Sequence, residues 1–274
     1  MLELPAPLER EWLWSGLEQL IQRRGEDTFL KAPLVIPDDK FFPDRFTPDA
    51  DGIATLARRL LGYAGLAHLE VSVETYEEEV DVEEVGYDGK ASKWSHSGTA
   101  AWFAGIEGAR ALFGANTTKL GDPLGLVATM AHEVGHAFRH AHKLRHPDRG
   151  LEEKLTDVTT VYLGFGILTT ATTARYESRV YGNTGSAWSH SRQGYLSPGE
   201  MSLLLGTQLV LRGYPPGAVR GYTKHLPANQ RSLVQRAMRE LDRALVANAL
   251  GFEAVPPAQE PPVVTKSLWQ RLFG

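Results

Sequence analysis

The sequence predicts an α+β fold: a small mixed β-sheet with helices in the N-terminal half, then a mainly helical C-terminal half. Three observations carry this. Apolar residues recur at helical spacing in two segments before residue 65, the period changes to strand-like alternation between His68 and Ala115, and from Asp122 onward it is helical again. With 274 residues the chain reads as one domain, 1–255, comprising an α/β part (1–121) and a helical part (122–255). A Pro-rich linker and short apolar tail, 256–274, follow.

Leu8 to Arg24 is the first predicted helix, with Leu13, Leu17, Leu20 and Ile21 on one stripe. Pro33–Pro37 reads as a short strand between prolines, and the loop after it carries Phe41, Phe42 and Phe46, expected to pack inward. Ile53 to Tyr63 is the second helix, with Leu56, Leu60 and Leu61 at helical spacing. Val71 and Val73, then Val80 and Val82, alternate as strands do. Seven of the eleven residues from Glu74 to Glu84 are acidic, which suits a solvated edge strand. Thr99–Ile106 and Ala109–Ala115 read as a hairpin around Glu107-Gly108.

Asp122-Pro123 supplies an N-cap and a first-turn proline for a helix running to about His142. A second helix is expected over Leu151–Thr173, followed by an aromatic, Gly/Ser-rich loop. Ser197-Pro-Gly-Glu200 is a capping box that opens a third helix, and Asn229–Ala249 reads as a fourth.

Composition narrows the function classes. The absence of cysteine excludes disulfides, Cys-ligated zinc, iron–sulfur clusters and a thiol nucleophile. A net charge of −4 without a basic run argues against a dedicated nucleic-acid binder. The N-terminus lacks the basic and apolar regions of a signal peptide. The long uncharged stretch Val158–Ala174 contains six Thr and two Gly, so it is expected to be a buried helix and not a membrane span. A cytoplasmic protein is the expectation.

Five of the nine histidines lie between residues 132 and 146. Among them, His132-Glu133-x-x-His136 has a spacing with a mechanical reason. Residues four apart on a helix share a face, so both imidazoles can reach one ion. Glu133 lies about 100° around the helix from His132, beside such an ion, where it can take a proton from water and pass it to a leaving group.

Catalytic zinc sites use three protein ligands, and three residues compete for the third place. Sixteen residues separate His136 from Glu153, which has Asp157 one turn on, enough to finish a helix, turn and return antiparallel. In that arrangement Glu153 ligates the metal and Asp157 accepts the other N–H of a ligand histidine. His142 completes His-Glu-x-x-His-x-x-Arg-x-x-His, but Arg139 stands where a glycine would let the chain leave the helix. Asp157 itself is the third candidate.

The pattern His132-Glu133-Val-Gly-His136 followed by Glu153-x-x-x-Asp157 resembles that of the zincin metallopeptidases, in the gluzincin arrangement of two His and one Glu. The match spans about 26 residues. The resemblance implies a zincin-like fold with the active-site cleft between its sheet-bearing and helical parts. It also implies Zn²⁺ at His132, His136 and Glu153, Glu133 as general base, and an edge strand from the 99–115 hairpin that aligns a peptide or protein substrate. Candidates for the oxyanion-stabilising residue lie in the loop Trp188–Tyr195, with His190, Arg192 and Tyr195. The other readings are a regulatory or binding protein that keeps the metal helix as architecture, and a zinc hydrolase of a non-peptide amide or ester.

Overall fold

The computed structural model describes residues 3–77, 81–85, 91–95, 100–181 and 196–261. Helix α1 (Pro7–Arg24) opens with proline at its first position and buries the predicted stripe Leu13, Leu17, Leu20 and Ile21. Helix α2 (Glu26–Lys31) follows. Helix α3 (Ala50–Tyr63) starts at Asp49, whose carboxylate accepts a hydrogen bond from Gly52 N at 2.9 Å. Then come β1 (Glu70–Tyr76), β2 (Asp81–Val85), β3 (Ala91–Ser95), β4 (Ala101–Glu107) and β5 (Arg110–Asn116). A short 3₁₀ turn, Thr117–Lys119, leads to α4 (Pro123–Ala141) and α5 (Arg149–Tyr162). The remaining described helices are α6 (Gly166–Tyr181), α7 (Pro198–Leu211), α8 (Arg220–Thr223), α9 (Ala228–Glu240) and α10 (Arg243–Ala249).

The chain divides into two compact units. Of the described residues, one unit takes those up to Ile36 with 153–261, and the other takes those within Pro37–Glu152. The division falls inside α5, at the peptide joining Glu152 to Glu153, so that helix is continuous through it.

In the first unit α7 is the central helix, buried along almost its whole length and packed by α1, α6, α9 and α10. Its capping box is formed: Ser197 Oγ accepts from Glu200 N, and the Glu200 carboxylate accepts from Ser197 N. Buried polar groups tie the helices together. Trp14 Nε1 donates to Thr207 Oγ1 (3.0 Å), Gln208 Nε2 to Val161 O (2.7 Å) and Arg212 Nη2 to Phe29 O (2.7 Å).

In the second unit the three-stranded sheet has the order β1-β5-β4, with β5 parallel to β1 and antiparallel to β4. The mixed sheet predicted from the sequence is present. The parallel pairing joins strands that are far apart in the chain, as a parallel pair requires. β2 and β3 form a separate antiparallel pair. Helix α3 packs on β1 and α4, and α4 packs on β4. Phe42 is buried, while Phe41 and Phe46 are half-buried.

Three expected elements differ. Pro33–Pro37 forms no strand: prolines at both ends lack the N–H a ladder needs, and Val35 N donates instead to Gly164 O at 3.0 Å. The helix expected over Leu151–Thr173 is two helices, broken at Gly164, which takes φ +86°. The helix expected over Asn229–Ala249 also breaks. Leu241 is extended, and Asp242 caps a new start by accepting from Leu245 N at 2.9 Å. No helix among the described residues is long and apolar enough to cross a membrane.

Candidate metal centre

Helix α4 carries the motif and is firmly bounded. Asp122 Oδ1 accepts from Gly125 N at 3.2 Å, and Pro123 occupies the first turn. At the other end Leu144 N donates to Arg139 O and Lys143 N to His140 O, while Lys143 takes the left-handed conformation, φ +55°. These bonds form a Schellman cap with lysine in the place glycine usually fills. Between the caps, Leu126, Val127, Val134 and Phe138 are buried. His132 and His136 stand one turn apart on one face, ring centroids 4.8 Å apart and nearly perpendicular at 80°. His132 is buried, and the His136 side chain is 17% exposed.

The turn into α5 is locked by a buried ion pair. Arg139 Nε donates to Glu152 Oε1 (3.0 Å) and Arg139 Nη2 to Glu152 Oε2 (2.8 Å). Glu152 Oε2 also accepts from His146 N (2.7 Å), and Arg139 Nη2 donates to Leu144 O (2.7 Å). Asp148 caps α5 by accepting from Leu151 N at 2.8 Å. Glu153, which directly follows Glu152 in α5, is therefore set by bonds made to its immediate neighbours.

His132, His136 and Glu153 each offer one ligand atom, and these atoms all lie within 4.8 Å of one another. Among the described residues this is the one group of three or more potential ligands so arranged. Two imidazoles and a carboxylate are donors of the kind catalytic zinc uses. Tetrahedral ligands about 2.0–2.2 Å from zinc stand roughly 3.4 Å apart, so modest side-chain rotation closes the observed span. The donor set fits the ion.

Glu133 is buried on α4, and its Oε2 accepts a hydrogen bond from Phe103 N on β4 at 2.7 Å. β4 is an edge of the three-stranded sheet, and its register shifts just after Phe103, leaving Ala104 as the extra residue of a bulge. An edge strand has N–H groups without ladder partners, and here one of them orients the carboxylate. The Phe103 ring stands edge-on to Phe113 and to His140, with centroids 5.7 Å apart in each pair.

The other candidates have different surroundings. His142 is the C-cap of α4, its ring 4.4 Å from that of Phe138, and it lies outside the three-residue group. Asp157 is buried one turn beyond Glu153 and accepts from Leu196 N at 2.8 Å through Oδ2. Burial, and secondarily the Arg145 charge, hold the His140 imidazole below its ordinary value. His190, Arg192, Tyr195 and the tail from residue 262 lie outside the described residues. Glu152 is not among the residues the sequence singles out, because only Glu153 shares a helix face with Asp157 at i, i+4. Comparison of the chain with family models, with curated proteins and with solved structures finds no match.

Proposed function

We propose that the protein is a zinc-dependent hydrolase of metallopeptidase type, with His132, His136 and Glu153 holding the metal. The observation that carries this reading is the convergence of those three ligand atoms within 4.8 Å. The Glu133 carboxylate, on the same helix as both histidines and held by Phe103 N of β4, supports it. Zinc in such a site supplies a Lewis acid and brings the ionisation of water to near neutral pH.

The chain's own residues then divide the work. His132 and His136, one turn apart on a doubly capped helix, present their donors in a preset geometry. Glu153 contributes the negative charge of the donor set from a helix start riveted by Arg139 and Glu152. Glu133 takes a proton from the attacking water and returns it to the departing amine nitrogen, which makes it the general base and then the general acid. The hydrogen bond from Phe103 N fixes which way the carboxylate points. Asp157, one turn from Glu153, is assigned to orient a ligand histidine. The substrate class is an amide of a peptide or protein.

Glu133→Gln tests the mechanism, because the amide keeps the shape and an acceptor oxygen but cannot hold the proton. Zinc content should match that of the parent, while cleavage of a quenched-fluorescence peptide pool falls by about 10²–10⁴-fold. A zinc-loaded Glu133→Gln protein with full activity overturns the assignment.

A further inference from the structure

We propose that Glu152 is a positioning residue for His136, directing the imidazole so that Nδ1 carries the proton and Nε2 is left to bind the metal. This rests on the metal-centre reading above and adds to it a residue outside the ligand set. Glu152 Oε1 lies 4.0 Å from His136 Nδ1. That is longer than a hydrogen bond, yet it is the distance at which a small turn of the imidazole completes one.

The carboxylate is the fixed partner of the two. Both its oxygens are bonded to Arg139, one of them also to His146 N, and the side chains of the ion pair are at most 7% exposed. His136 is the more exposed side chain, at 17%, and has room to adjust. A neutral imidazole has one N–H and one lone pair, and the partner of the N–H decides which nitrogen is left for a metal. A pinned carboxylate facing Nδ1 selects the Nδ1–H form. Because Glu152 immediately precedes Glu153, the same pair sets two of the three ligands: Glu153 through the backbone and His136 through its ring.

The test uses the full chain. In the metal-free parent, ¹⁵N-detected NMR of the His136 ring should report the Nδ1–H tautomer; the Nε2–H tautomer there overturns the proposal without any variant. The double variant Arg139→Met, Glu152→Met removes both charges together, so no unpaired ion is left inside. Its zinc affinity, read by competition with a chromophoric chelator, should be about 10- to 100-fold weaker than the parent's, with the His136 tautomer shifted toward Nε2–H. A folded double variant with parental affinity and tautomer overturns the role of Glu152 while leaving the metal centre intact. A parent that takes up no zinc overturns the metal-centre reading, and this inference with it.

Discussion

Arg139 and Glu152 meet in a buried, bidentate ion pair across the turn from α4 to α5, with bonds of 3.0 and 2.8 Å. Arg139 sits one turn beyond His136, and Glu152 is the residue before Glu153, so the pair joins the two ends of the donor set. Removing one partner strands the other charge in the interior. Arg139→Ala should cost about 3–5 kcal/mol of stability in urea unfolding. The double variant Arg139→Met, Glu152→Met should recover most of that loss, since well-packed apolar residues can replace a buried pair at little cost. A double variant no more stable than Arg139→Ala would show that the pair's contribution is packing and not charge.

Gly164 is where the expected helix 151–173 becomes two. It takes φ +86°, and a Cβ there would stand 2.0 Å from Pro33 O. Gly164→Ala must therefore pay for a left-handed backbone, about 1–2 kcal/mol, and displace the neighbouring chain as well. A loss of more than about 2 kcal/mol in thermal or denaturant unfolding is expected. A variant of parental stability would mean that the α5–α6 turn is easily remade.

His140 gives a pH signature separate from the metal ligands. Its Nδ1 is buried without a hydrogen-bond partner, and burial, with the Arg145 charge, lowers its pKa from 6.5. Above pH 6.5 neither the folded nor the unfolded chain protonates this ring. As the pH falls through 6.5 the unfolded chain takes up a proton that the folded protein binds only at lower pH. Unfolding free energy therefore declines from 6.5 down to the folded-state value. His140→Gln should flatten that part of the metal-free protein's stability–pH curve. An unchanged slope would assign the acid sensitivity elsewhere.

Much of the fold was legible because it follows from local rules. The α1 stripe, the β4–β5 hairpin, the Asp122 cap and the Ser197 capping box each depend on residues within one or two turns of each other. What was not legible were breaks inside runs whose apolar spacing continues. Gly164 ends α5 in a glycine-centred Schellman turn, with Phe165 N donating to Thr160 O and Gly164 N to Val161 O, and Leu241 ends α9 although apolar spacing continues past it. At the site, the two histidines follow from helix geometry and the approach of Glu153 from loop length. Glu152 required the structure, because its partner, Arg139, reads in sequence as a departure from a glycine motif and not as the anchor of the following helix.

Zinc stoichiometry of the purified protein, compared with His136→Ala and Glu153→Ala, tests the central claim most directly. The two-His-one-Glu centre predicts about one zinc per chain in the parent and its loss in both variants. Zinc retained in Glu153→Ala would move the third ligand to His142 or Asp157. A parent that takes up no zinc, even after reconstitution, would contradict the account.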